Sequence, residues 1–239
     1  MNTKNIHAKN DVKTLLGNFL SRVTPNERYA SYDYCFRYFQ TNRHQLSQNM
    51  EISCLHLWSY LASWGMLRGS SKLLTECSMK VLSDVIKYLD SLPDEDWDLD
   101  IEDYTNENKC CRILNIYKEI SFRIAQIRIG SSNNIIGVNA TPTLVTKIML
   151  GTLGCVPAFD EYFSETLTKE FSNAQPHCGF CTLTLQSMKY IYDLYDANRN
   201  VFDTLKINVM DFNGNPIDGL FYRKIKLIDM YGWSVGRTI

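Results

Sequence analysis

From Gly137 to Phe163 the chain reads GVNATPTLVTKIMLGTLGCVPAFDEYF, and the reading of this stretch decides the fold class. Thr141 and Pro142 are a helix cap and a first helical residue. The threonine hydroxyl can accept from a free N–H of the first turn, and a proline at that position gives up no hydrogen bond. Val145, Ile148, Met149 and Thr152 then recur on one helical face, and Gly154 ends the helix. Val156, Pro157 and Phe159 lead to Asp160, which stands directly before a second helical run, Glu161 to Phe171, in the position of an N-cap. Between Ile135 and Phe159 the only charge in 25 residues is Lys147. Pro142, Gly151, Gly154 and Pro157 interrupt that run, so it predicts a buried core helix flanked by turns rather than a membrane span.

Outward from this centre, apolar residues keep helical spacing. An amphipathic helix is predicted over 12–23, where Leu15, Leu16, Phe19, Leu20 and Val23 share a face, and another over the aromatic stretch Tyr29 to Phe39. Ser53 to Leu74 reads as nearly continuous helix with Gly65 and Gly69 near its middle. Met79 to Leu92 is a helix ended by Pro93, and Cys111 to Ile129 and Leu183 to Tyr195 are two more. Asn213, Gly214, Pro216 and Gly219 signal a short hairpin or an irregular loop before a last helix around Tyr222 to Tyr231. The expected class is mainly α, one unit of two helical lobes with a cleft between them. The lobes approximate 29–110 and 111–200, with the helix 12–23 and the segment 201–239 packed on them.

With 239 residues, 45% of them apolar, the chain can bury a core, and its 12% of aromatics leave some to line a pocket. The formal net charge of −1 is unevenly spread. Eight of the 26 acidic residues fall between Asp94 and Glu107, which contains no Lys or Arg. That segment is expected to be a solvated acidic loop. The other 18 acids face 25 basic residues, a surplus of seven that allows a basic face for phosphate binding. The first residues, MNTKNIHAKNDVK, are polar and lack an apolar core that would direct export, so a cytoplasmic protein with reduced thiols is expected from its eight cysteines.

The segment Gly137 to Phe163 resembles the hairpin and catalytic segment of the helix-hairpin-helix base-excision DNA glycosylases, in which a Leu-Pro-Gly-Val-Gly turn starts a helix and a Val-Asp pair follows it. The likeness spans about 27 residues of the chain. It implies a helix-hairpin-helix element gripping DNA through Gly137, Val138, Asn139, Thr141 and Thr143, with Asp160 as the catalytic carboxylate. Physical chemistry is compatible with both roles. Gly137 can take positive φ in a tight turn and let backbone approach a phosphate, and Asn139 tolerates the left-handed region. A helix start also presents free N–H groups and a positive dipole end. N-glycosidic cleavage develops positive charge on the sugar, which a rigid ionised carboxylate stabilises while it orients the attacking water.

Strand-cleaving members of that superfamily carry a Schiff-base lysine just after the turn, and the matching stretch Asn139 to Thr143 has none. The expectation is therefore a monofunctional glycosylase, with Lys147 a phosphate contact or a solvent-exposed helix residue. The partner would be double-stranded DNA with an everted base, in repair or in defence against phage, with no cofactor and no membrane. The base must be held by stacking and edge contacts, for which Tyr38, Trp58, Trp64, Arg68, Tyr162 and Phe163 are candidates.

Two other readings stay open. A helical DNA- or protein-binding module could retain the hairpin without catalysis, leaving Asp160 as a cap. A redox or zinc protein could use the Cys-x-x-Cys of Cys178 and Cys181, with Cys110 and Cys111 as further ligands; the expectation is nevertheless no metal, since adjacent cysteines rarely face one ion. The four histidines form no metal or triad spacing, and phosphate-loop and nucleophile-elbow patterns are absent.

Overall fold

Why the central helix must be interior follows from its composition, apolar on almost every side, and the structure is built around it. A computed structural model describes residues 12–129 and 136–238. In chain order the helices are α1 (Val12–Leu20), α2 (Ser31–Thr41), α3 (Met50–Ser63), α4 (Leu73–Glu76), α5 (Ser83–Asp90), α6 (Asp94–Trp97) and α7 (Glu107–Gln126). A two-residue strand pair follows, β1 (Arg128–Ile129) and β2 (Ile136–Gly137), and then α8 (Pro142–Thr152), α9 (Glu161–Glu170), α10 (Leu185–Ala197) and α11 (Arg199–Thr204). The hairpin β3 (Asn208–Met210) and β4 (Pro216–Phe221) leads into the last helix, α12 (Lys224–Thr238). The protein is mainly α-helical, as its periodicity predicts, and both strand pairs are antiparallel. No helix among the described residues is long and apolar enough to cross a membrane.

Helix α8 is the hub. Every residue from Leu144 to Thr152 is buried, and the helix packs on α2, α3 and α7. Its start is built as the sequence predicts, with Thr141 Oγ1 accepting from Leu144 N at 3.2 Å and Pro142 in the first turn. A cap of this kind contributes about 1 kcal/mol. Gly154 ends the helix in the left-handed region at φ +70°. Close approach to α3 needs Gly151, since a β-carbon there would come within 2.4 Å of the Tyr60 ring. A second body of contacts joins α12 to α9 and α1. One continuous core runs from Val12 through α8 to Val235.

Two elements differ from the sequence expectation. The helix expected from Ser53 to Leu74 stops at Ser63, because Gly65 and Gly69 take φ of +74° and +64°, and the chain turns through Arg68 before α4. Left-handed glycines terminate a helix where mid-helix glycines would merely weaken it. The acidic segment is not a solvated loop. It folds as α6 and a 3₁₀ turn at Ile101–Thr105, with Asp96 and Trp97 buried. Its carboxylates meet cations from the helix that follows it and from distant parts of the chain. Arg43 reaches Asp94 and Asp98, Arg112 reaches Glu95 and Asp96, Lys109 reaches Asp103, Arg223 reaches Asp98 and Lys224 reaches Glu102. Asp100 accepts from the backbone N–H of Lys224 at 2.9 Å and of Ile225 at 3.0 Å, and so caps α12. Burial pushes the Asp100 carboxyl up, against those hydrogen bonds. Much of the basic surplus inferred from composition is therefore spent on this segment.

Candidate active site

Along α8 three polar residues interrupt the apolar helix at positions i, i+3 and i+4, and the helical period puts them on one face. Thr143, Thr146 and Lys147 all meet the segment that leads to Asp160. Thr143 Oγ1 donates to the Phe159 carbonyl at 2.8 Å, and Thr146 Oγ1 accepts from Phe159 N at 2.9 Å. Lys147 Nζ donates to Asp160 Oδ2 at 2.9 Å. One residue earlier, Ala158 N donates to Asp229 Oδ1 at 2.9 Å. Asp160 itself is the N-cap of α9, with Oδ1 accepting from Phe163 N at 3.1 Å. Both oxygens of the carboxylate are thus engaged, and its side chain remains 16% exposed while that of Lys147 is 3% exposed.

A second ion pair lies close by. Lys226 Nζ meets Asp229 Oδ2 at 3.0 Å, with both residues buried. The two ammonium groups share a ring: Lys147 Nζ is 4.4 Å and Lys226 Nζ 5.9 Å from the Trp64 ring centroid. Lys226 also stands 4.5 Å from the Tyr32 ring. Desolvating such pairs costs several kcal/mol per ion, and packed apolar residues of similar volume serve stability as well or better. Two buried Lys–Asp pairs thus lie around one indole, each held by further contacts, Asp160 by Phe163 N and Asp229 by Ala158 N.

Aromatic rings surround the pairs. Trp64 meets Trp233 edge-on at 6.3 Å and Tyr29 at 5.9 Å, and Tyr162 meets Trp233 at 6.0 Å. Tyr162 is 40% exposed, so it stands at the outer edge of this group. Trp64 holds its position because it caps the end of α3 just before left-handed Gly65. Its Nε1 is buried and finds no hydrogen-bond partner among the described residues. Arg28 lies 5.1 Å over the Trp64 ring and Arg237 4.7 Å over Trp233. The placement of Trp233 follows from glycines at Gly232 and Gly236, where a β-carbon would strike the Phe163 ring at 2.5 Å and the Tyr162 carbonyl at 2.6 Å.

Of the residues singled out from sequence, Asp160, Lys147, Trp64 and Tyr162 come together here. Several residues, Lys147 among them, do not behave as expected. Lys147 is neither solvent-exposed nor free for a phosphate, because helical geometry turns it inward to Asp160. Phe163 is fully buried core, packed on Phe159 at 5.7 Å, and has no place at a site mouth. The Thr143 hydroxyl is committed to Phe159. Gly137 lies in β2 opposite Arg128, outside the left-handed glycines, and Asn139 has no positive φ either, so among the described residues no tight glycine turn leads into Thr141. Val138 is buried and donates to the Ile127 carbonyl at 3.0 Å. Tyr38 bonds Ser53 at 2.8 Å and stacks on His56 at 4.1 Å, while Trp58 is partly buried against the core. Arg68 is exposed in the turn after Gly65.

Thr146, Lys226, Asp229 and Trp233 were not singled out from sequence. The signal for the last three was present as spacing, because i, i+3 and i+7 share one face of a helix. All eight cysteines are free thiols, with Cys178 buried and Cys181 exposed. No group of three or more His, Cys, Asp or Glu able to hold a metal ion occurs among the described residues. Comparison with protein-family models, with curated proteins and with solved structures finds no match to this chain.

Proposed function

We propose that this chain is a DNA glycosylase that hydrolyses the N-glycosidic bond of a damaged or modified base, with Asp160 as the catalytic carboxylate. The observation that carries the reading is the fixed, partly exposed Asp160 carboxylate, pinned by Phe163 N and Lys147 Nζ beside an aromatic group. A carboxylate held in this way needs little reorganisation as positive charge grows on the sugar, and an aligned water can give up its proton to it. Tyr162, exposed at the outer edge of that group, supplies a face against which an everted base can stack, while Trp64 is covered by cations and backs the site.

Water, rather than Lys147, is the nucleophile in this reading. The Lys147 amine is turned inward to Asp160 and lies over an indole, so its part is to orient that carboxylate. The resemblance at Gly137 to Phe163 supplies the substrate class, and the N-terminal end of α8 is the proposed contact with DNA backbone. Repair or removal of modified bases from phage DNA are the settings proposed for it.

The test is release of free base from a panel of modified duplexes by the parent and by Asp160→Asn. Release by the parent and strong loss in the variant supports the assignment. Equal release, or none from any substrate, removes it. A second reading has its own observation. Lys226–Asp229 repeats the Lys–Asp pairing in a deeper place, as expected if both pairs only tie α8, α9 and α12 together in a binding module. That reading predicts DNA or protein binding without base release. Reduction with borohydride separates the water mechanism from amine attack, since only an amine adduct is trapped as a covalent complex.

A further inference from the structure

Beside Trp64, on the side where Arg28 covers its ring, the segment before α2 and the facing surfaces of α2 and α3 enclose an open pocket of about 420 Å³. That volume falls within the range of small-ligand sites. Arg28, Ser31, Tyr34, Arg37, His56 and Phe212 are its informative lining residues. Arg43, Arg112 and Arg223, which meet the acidic segment, have carboxylates at ion-pair distance, whereas Arg28 and Arg37 have none among the described residues. Acidic side chains of the neighbourhood leave both guanidinium groups unpaired. Glu27 lines the pocket without pairing with either, and Asp211 turns its oxygens to Asn213 and Asn215, feeling Arg37 only at longer range.

Three further features suit a nucleotide. Phe212 is 75% exposed at the turn between β3 and β4, and its ring lies 5.6 Å from that of Tyr34, so a planar group can stack on an aromatic face already in place. Ser31 Oγ is a buried hydroxyl without a hydrogen-bond partner among the described residues, a polar atom the protein itself leaves unsatisfied. His56 is pushed down by burial and by Arg37, which keeps it neutral at pH 7 and able to accept or donate at a base edge.

We infer that this pocket is a subsite for a nucleotide of the DNA strand adjoining the target, its phosphate between Arg28 and Arg37 and its base against Phe212. The inference rests on the proposed function for its choice of DNA. Arg28 links the two places, since it lines the pocket and also covers Trp64. Nucleotide contacts of this kind combine local cations with sequence-tolerant stacking.

The test is anisotropy of a fluorescein-labelled oligonucleotide titrated with the full chain at several salt concentrations. Arg37→Ala and Phe212→Ala are compared with the parent, and Lys189→Ala removes an equal charge elsewhere. Phe212→Ala is expected to lose roughly five- to hundredfold in affinity. Arg37→Ala is expected to weaken binding and to reduce the slope of log K against log salt by about 0.7 to 0.9, the value of one phosphate contact. Lys189→Ala should match the parent. Affinities of both pocket variants within twofold of the parent, or no binding by the parent at about 100 μM, the weak end of non-specific affinity, overturn the subsite. Failure of the glycosylase reading is seen separately. Binding that depends on Arg37 and Phe212 without base release leaves the subsite standing, and Asp160-dependent base release with unchanged binding removes the subsite alone.

Discussion

Replacing Lys147 with methionine keeps the length and much of the volume of the side chain and removes the charge that faces Asp160. Breaking one side of a buried ion pair costs about 3–5 kcal/mol, because the other charge stays buried without compensation. Asp160 keeps Phe163 N and some water, as its side chain is 16% exposed, which lowers the expected loss to about 2–4 kcal/mol. Asp160→Asn leaves the more deeply buried Lys147 ammonium over Trp64, and the full range of about 3–5 kcal/mol applies. In the double variant neither charge is left alone. Its loss should fall short of the sum of the single losses by about 2–3 kcal/mol, the coupling of two groups in contact. Urea unfolding of the parent and three variants at pH 7 measures the cycle. In thermal melts each kcal/mol should appear as about 2–4 °C in a chain of this size. Single losses below about 1 kcal/mol that add within about 0.5 kcal/mol would refute the reasoning, since distant, independent sites behave that way.

Asp33 carries a pH prediction: burial raises its carboxyl to about 6, although Tyr222 OH and Met210 N donate to it. A raised carboxyl means that the folded state binds more protons than the unfolded state between about pH 4 and 6, so its contribution to stability is present below that window and is lost as pH rises through it. A shift of two units corresponds to about 3 kcal/mol, and Asp33→Asn should remove that slope from unfolding measured between pH 4 and 7. The fit at Gly151 predicts that Gly151→Ala costs about 1–3 kcal/mol or more through overlap with Tyr60, whereas Gly17→Ala in α1, with nothing within 4 Å, stabilises by about 0.4–1 kcal/mol. Denaturation midpoints that rank the two substitutions the other way would contradict the packing. Among the eight thiols, exposed Cys111 and Cys181 should react fastest with an aromatic disulfide reagent in the native state. Buried Cys35 and Cys155 should stay silent until unfolding, with Cys155 pushed up to about 12 by burial.

Local chemistry made much of the fold legible. The cap at Thr141 and Pro142, the stop at Gly154 and the N-cap position of Asp160 could be read directly, because each depends on a few neighbouring residues. Long-range pairing could not. The acidic segment Asp94 to Glu107 looks solvated until Arg43, Arg112, Arg223 and Lys224 are brought to it from up to 126 positions away. Gly65 and Gly69 were visible within a helical pattern, and only their positive φ distinguishes a helix end from a tolerated glycine. At the candidate site, Asp160 and Trp64 were found by type and position, whereas Lys147 was assigned to the wrong side of its helix. Its spacing with Thr143 and Thr146 held the correction, since a polar trio on one face of an otherwise apolar helix must find polar partners inside the fold. Asp229 escaped notice because its role, holding Ala158 from another helix, has no local signature.

The most direct test of Asp160 as a catalytic carboxylate is the single-turnover rate of free-base release from modified duplex DNA, with enzyme in excess and each protein checked for folding by circular dichroism. Release by the parent is expected, with a rate lower by about 10²- to 10⁴-fold in folded Asp160→Asn. Equal rates for the two folded proteins would contradict it.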